Sequence, residues 1–267
     1  MIKAIAVDMD GTFLNSAGQY DHEAFQRIFR RLQEHQIQLV VASGNPIYQL
    51  HMAFPEQIND LCFVAENGVE CFDRNNQLLY CGQMADEAIQ GLFRLHQATP
   101  HSTFLLSGVE RAFVFQDEDP DFVRRIRVHY PHLVTINSLD EVDDQIVKMQ
   151  MDVPGEITAQ MQAKINHDFA GQLTAVSSGY GNMDLIVSGL DKATGLRKLM
   201  EVHGWQPNEL MAFGDGQNDM TMLELAGESY AMANGDPRVI KLAKHTAPTN
   251  DQNGVFVTIE NYLNQLD

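Results

Sequence analysis

Apolar positions along the chain fall into three successive styles. The stretch IKAIAV, Ile2 to Val7, is a nearly continuous apolar run, the pattern of a strand buried on both faces. Phe25, Ile28, Phe29 and Leu32 then recur at helical spacing behind Asp21, a suitable N-cap. IQLVVAS, Ile37 to Ser43, reads as a second buried strand. Pro46, a favoured first helical residue, opens the next helix behind Asn45 as N-cap. LCFVAENG is a third strand, and its Asn67-Gly68 pair suits a hairpin turn or the edge of a site. Strand alternating with helix predicts an α/β fold, a Rossmann-like doubly wound parallel sheet covered by helices.

From Met84 the rhythm changes. A helix marked by Ile89, Leu92 and Phe93 precedes two strand-like pieces, STFLLSG and RAFVFQ. Phe122, Ile126 and Tyr130 mark another helix, QIVKMQMDV alternates like a strand with one polar face, and Ile157, Met161, Ile165 and Phe169 mark a third helix. LTAVSSG and NMDLIVSG close this α+β block, which Gly82 and Gly189 flank. After Gly189 the first style returns: Asp191 caps a helix, and ELMAFGD, NDMTMLELA, SYAMAN and VIKLAKH alternate strand and helix. The expected organisation is a discontinuous core, residues 1–82 and 190–267, with a module inserted at 83–189.

Composition narrows the function. A net charge of −18 opposes nucleic acid and anionic lipid as partners, and also a phosphorylated metabolite unless a cation sits in the site. No apolar run reaches membrane-span length, and the N-terminus reads as a strand rather than a signal peptide. Three cysteines, Cys62, Cys71 and Cys81, with no CxxC pair, predict reduced thiols in a cytoplasmic protein. Neither the GYG at Gly179–Gly181 nor GDGQND completes a GxGxxG, and no GxxxxGK[ST] occurs, which disfavours nicotinamide and P-loop chemistry. His129 and His132 form an HxxH read as surface residues, and the methionines read mostly as core filler.

Ligands of an open parallel sheet bind at the carboxyl ends of its strands. Those ends carry Asp8 and Asp10, then Ser43-Gly44-Asn45, then Asp215, Asn218 and Asp219, with Lys192 beginning the preceding helix. Two like charges about 4 Å apart cost about 4 kcal/mol at an effective dielectric near 20, so such a cluster needs a counter-cation. All-oxygen donors suit Mg²⁺, which takes one or two carboxylates plus substrate phosphate. Given that cation, one aspartate can attack an electrophile and a second can serve as acid and base. Phosphoryl transfer fits, with Ser43 and the amides of Gly44 and Asn45 as a phosphate cradle at a helix start.

DMDGTFL, SGN, Lys192 and GDGQND, in that order around an insertion, resemble the four motifs of the haloacid dehalogenase superfamily of aspartyl phosphatases. The insertion after the third strand resembles the type-IIB cap of the Cof-type branch, and VDMDGTFLN, VVASGN and FVAENG resemble its bacterial sugar phosphatases. The resemblance implies a phosphoric monoester hydrolase acting on small phosphorylated metabolites, sugar phosphates foremost. Asp8 would be the nucleophile. Asp10 would be the general acid/base and lend Mg²⁺ its carbonyl. Asp8 and Asp215 would be metal ligands, and Asp219 would orient metal-bound water or Lys192. Met9, Ser43, Gly44, Asn45, Lys192 and Asn218 would bind the phosphate. The cap would close over the site and choose the leaving group. One position departs: Asn45 stands where many members of the branch carry arginine, which leaves a second cationic phosphate contact open. A phosphosugar mutase and a non-catalytic metabolite sensor are the alternatives. No obligatory protein partner is implied.

Overall fold

The computed structural model describes residues 1–179 and 182–267; Tyr180 and Gly181 of the GYG stretch lie outside the described residues. The chain divides into two compact units, Met1–Cys81 with Leu190–Asp267, and Gly82–Gly189.

In chain order the first unit begins with β1 (Ala4–Val7), α1 (His22–Glu34), β2 (Gln38–Ala42), α2 (Ile47–Ala53), β3 (Cys62–Ala65), β4 (Glu70–Phe72) and β5 (Leu78–Cys81). The inserted unit contains α3 (Asp86–Gln97), β6 (Thr103–Gly108), β7 (Ala112–Phe115), α4 (Pro120–His129), β8 (Leu133–Ile136), β9 (Ile146–Asp152), α5 (Thr158–Asp168), β10 (Leu173–Gly179) and β11 (Asn182–Val187). The first unit resumes with α6 (Lys192–His203), β12 (Leu210–Gly214), α7 (Met220–Leu225), β13 (Glu228–Met232), α8 (Pro237–Leu242), β14 (His245–Ala247) and α9 (Gly254–Leu263).

The first unit's sheet runs β14-β13-β12-β1-β2-β3-β4-β5. It is parallel from β14 to β3, and β4 and β5 add an antiparallel hairpin. One apolar cluster packs Phe25, Ile28 and Leu32 of α1 and Ile259 of α9 on one face; Leu196 and Leu199 of α6 and Leu223 of α7 pack on the other. Burial on both faces is why β1 and β2 read as unbroken apolar runs. Asp21 caps α1 as expected, its carboxylate accepting from the Ala24 amide at 3.0 Å. The chain winds outward from β1 to β3 on one side and from β12 to β14 on the other, so the strand order reverses between β1 and β12. That reversal places a crevice at the carboxyl ends of those two strands.

The inserted unit's sheet runs β10-β11-β9-β6-β7-β8, antiparallel except for the β7–β8 pair. Along β9, Met149 and Met151 enter a cluster with Leu92 of α3 and Ile165 of α5. The alternating Lys148 and Gln150 form the opposite, polar face and are also buried. Part of that opposite face is covered by Phe122 and Ile126 of α4, which pack on Leu105 and Val114.

Candidate active site

β1 and β12 run in register, Val7 beside Phe213, and the Asp8 amide donates to the Phe213 carbonyl at 3.1 Å. Asp8 and Asp215 therefore leave the sheet side by side. Gly11 is what lets them meet: at φ +80 it would carry a Cβ only 2.4 Å from Asp215 Oδ2. A side chain there would be strained by backbone and neighbour alike. Thr12 Oγ1 donates to Asp215 Oδ1 at 3.0 Å, which fixes the loop across the crevice.

Lys192 is wholly buried at the first position of α6. A cation in a helix's first turn opposes the macrodipole, and full burial adds a desolvation cost. Two acids offset both: Nζ donates to Asp8 Oδ1 at 2.5 Å and to Asp219 Oδ1 at 2.6 Å. Asp219 in turn accepts the amides of Asp215 and Gly216 on Oδ2, each at 2.9 Å. Both its oxygens are thus engaged, and it shapes the loop that presents Asp215. Burial pulls the Lys192 ammonium down, but its two carboxylate partners outweigh this and hold it above its ordinary value. Burial pushes Asp8 up, to about 7, against the pull of Lys192. Asp215 is raised as well, first by burial, with Thr12 opposing.

Asp8, Asp215 and Asp219 bring carboxylate oxygens within 4.8 Å of one another. Three carboxylates against one ammonium leave two negative charges, the charge a divalent cation neutralises. The donors are hard oxygens without thiolate or imidazole, which fits Mg²⁺ rather than a softer metal.

Ser43 follows β2 and is buried. Its hydroxyl accepts the Asn45 amide at 3.0 Å, and its carbonyl accepts the Asn67 amide at 2.9 Å. Asn45 is not the N-cap of α2, since Pro46 occupies that place and makes no side-chain cap. The Asn45 side chain turns instead to Asp10, Nδ2 donating to Oδ2 at 3.0 Å. With the Asn45 N–H directed to Ser43, the expected cradle at this loop reduces to the Gly44 amide and the Ser43 hydroxyl. Asn218 Nδ2 donates to Asn67 Oδ1 at 3.1 Å, and Gly44 lies against the same Asn67 side chain. Asn67 therefore serves both readings: it sits in the connection between antiparallel β3 and β4, and it joins this rim. The Met9 side chain is buried in the apolar cluster.

Two asparagines without a place in the motifs hold the loop after Asp10. Asn234 Nδ2 donates to the Gly11 carbonyl at 2.8 Å, while its Oδ1 accepts the Asn250 amide at 3.0 Å. Asn250 Nδ2 donates to the Leu14 carbonyl at 2.9 Å. The Asn-Gly dipeptide at Asn234 was the available signal for a turn; nothing local announced its partner.

Fold and site together define an α/β protein with clustered acids at the switch point of a parallel sheet. The family model of haloacid dehalogenase-like hydrolases matches residues 5–259, and the chain belongs to that family. It is 33% identical over 262 residues to the 5-amino-6-(5-phospho-D-ribitylamino)uracil phosphatase YbjI of Escherichia coli (strain K12), covering 98% of this chain and 96% of that one. The crystal structure of SMU.1108c from Streptococcus mutans UA159 superposes with a TM-score of 0.86 at 38% identity, covering 98% and 99% of the two chains. The subclass IIB sugar phosphatase BT4131 shares the fold, with a TM-score of 0.77 at 17% identity over 97% and 98%. The protein is a phosphatase of this superfamily.

Proposed function

We propose that this phosphatase hydrolyses small phosphorylated metabolites in which the phosphate esterifies a polyhydroxylated carbon chain, sugar phosphates foremost, through an aspartyl-phosphate intermediate. The observation that carries the reading is the pairing of Asp8 with Lys192 beside Asp215. An ion-paired, buried carboxylate is held in one orientation. Asp8 attacks phosphorus as the bond to the leaving oxygen breaks. Asp10 delivers its proton to that oxygen and releases the alcohol. Water then attacks phosphorus, gives a proton to Asp10, and the electron pair of the acyl–phosphate bond returns to the Asp8 carboxylate. Lys192, Ser43, the amides of Met9 and Gly44, and Asn218 hold the phosphoryl oxygens. Asp8, Asp215 and the Asp10 carbonyl would hold Mg²⁺, which supplies charge neutralisation to the phosphoryl group. Uncatalysed monoester hydrolysis needs acceleration of up to about 10²¹-fold, which is why nucleophile, acid and metal converge.

Support for the substrate class comes from the relatives. YbjI is named for a phosphoribityl compound, and a ribityl phosphate is, like a sugar phosphate, a primary ester of a polyol chain. The inserted unit is assigned the choice of leaving group. Three cysteines held as thiols, with no CxxC pair, support a reducing, cytoplasmic setting. Among the described residues no helix is long and apolar enough to cross a membrane.

A phosphate-release screen tests the reading, run with Mg²⁺ and with EDTA. Its arms are hexose and pentose phosphates, a ribityl phosphate, phosphoglycolate and a nucleotide. We expect Mg²⁺-dependent release, fastest from the polyol esters. Preference for phosphoglycolate or the nucleotide would overturn the substrate class.

A further inference from the structure

We propose that Asn45 is a positioning residue for the general acid, not a phosphate ligand. It would fix the Asp10 carboxyl so that one oxygen faces the leaving group. This inference rests on the acid role given to Asp10 above.

Asp8 and Asp10 are held in opposite ways. Asp8 is buried and ion-paired, whereas Asp10 is exposed at the end of the loop. An exposed carboxylate would sample several rotamers, and a proton donor must be within about 2.6–3.2 Å of its acceptor. Among the described residues, Asn45 Nδ2 makes the side-chain hydrogen bond seen at Asp10, at 3.0 Å on Oδ2. That bond joins the end of β1 to the end of β2.

Asn45 itself is tightly placed. Its N–H donates to Ser43 Oγ at 3.0 Å, its carbonyl accepts the Glu66 amide at 3.1 Å, and Pro46 behind it confines its backbone to the extended region. Three constraints on the backbone leave the side chain little choice of direction. The donor is also a neutral amide. An amide orients one oxygen and adds no charge, so the other oxygen can give its proton to the leaving group in the first step and take one from water in the second.

The same bond explains why Asn45 need not bind phosphate. An Asn side chain offers one NH₂ group, and here that group points at Asp10. The missing cationic contact is then no defect in phosphate binding, because Lys192 already supplies the ammonium in the crevice.

The test uses the full-length enzyme with Mg²⁺ and two esters. Ribose 5-phosphate releases an alkoxide that needs a proton; p-nitrophenyl phosphate releases a phenolate that does not. For Asn45→Ala we expect kcat on ribose 5-phosphate to fall by roughly 10- to 100-fold, the usual worth of a hydrogen bond to a charged group. The fall on p-nitrophenyl phosphate should be at least about tenfold smaller, with inhibition by inorganic phosphate unchanged. In an Asp10→Asn background, Asn45→Ala should add almost nothing, since coupled residues fail to add. Equal losses on the two esters, weakened inhibition by phosphate, or full additivity with Asp10→Asn would overturn the positioning role. Such results leave the phosphatase reading intact if the parent hydrolyses both esters. A parent inactive on both would overturn that reading and this inference with it.

Discussion

The two units handle buried polarity differently. In the first unit the strands are parallel and apolar on both faces, so polar side chains gather where the strands end. There Lys192 pairs with both Asp8 and Asp219 within hydrogen-bond distance. In the inserted unit the strands alternate, and polar residues spread across one face of the sheet. Lys148 and Gln150 are buried there, and Gln150 Nε2 donates to Asp152 Oδ1 at 3.0 Å. Polarity at strand ends is compact and appears as short motifs. Polarity spread over a sheet face appears only as alternation, which is also the signature of a solvated face. The difference teaches why chemistry is readable from this chain and substrate choice is not.

The largest expected effect removes the charge that the first unit concentrates. Asp8→Asn deletes the nucleophile but keeps the shape, and turnover should fall by about 10⁴-fold or more, the scale of losing a covalent nucleophile. Phosphate release checks it. A variant within tenfold of the parent would mean that Asp8 is a spectator, and the contrast between the units would lose its basis.

Next comes Lys192→Met. This substitution keeps most of the buried volume and leaves Asp8 and Asp219 facing one another without their cation. Stranding buried charges costs about 3–5 kcal/mol, read as a lower urea midpoint at unchanged slope. The sign with respect to pH follows from the carboxylates. With Lys192 gone, the Asp8 carboxyl moves further above its ordinary value, so the variant should recover stability as pH falls and the acid protonates. A variant as stable as the parent at neutral pH would show that the cluster is not desolvated.

Much of this site was legible because its residues are tied to sequence signals. β1 and β2 are unbroken apolar runs, and Asp21 and Asp191 mark helix starts that the structure keeps, Asp191 in a capping box with Thr194. What escaped is decided by distant neighbours. Asn45 before Pro46 has the local look of a helix cap, and only the approach of Asp10 draws its side chain elsewhere. Asn234 and Asn250 act on the Gly11 and Leu14 carbonyls from the far end of the chain. β4 and β14 are three residues each, too short for a period to show. α9 was missed too, although Val255, Phe256, Ile259 and Leu263 form its buried side.

A smaller effect probes the inserted unit. Gln150→Ala removes one amide from the polar face of its sheet. The unfolding free energy should fall by about 0.5–1.5 kcal/mol, the worth of the hydrogen bond to Asp152, read as a lower urea midpoint with turnover of ribose 5-phosphate unchanged. Loss of p-nitrophenyl phosphate turnover in the same variant would instead tie the inserted unit to the chemistry itself. The separation drawn between the units would then be wrong.

The smallest expected effect concerns the hairpin edge of the first unit, where all three cysteines lie on adjacent strands β3, β4 and β5. Burial pushes the Cys62 and Cys71 thiols up to about 12. The thiolate is the reactive form, so at pH 8 about one such thiol in 10⁴ is reactive. Cys81 is half-buried on the edge strand, and edges open at lower free energy than interior strands. Iodoacetamide at pH 8 should therefore label Cys81 first, and Cys62 and Cys71 only when urea opens the sheet. The inserted unit carries no cysteine, so the label reports on the first unit alone. Peptide mass spectrometry against urea concentration then gives the stability of that unit. Far-ultraviolet circular dichroism from the whole chain serves as the reference: coincident transitions mean that the two units unfold together, and an earlier whole-chain transition means that the inserted unit melts first. Prompt labelling of Cys62 in the native protein would show that β3 is an exposed strand and would contradict the doubly covered sheet on which the site is built.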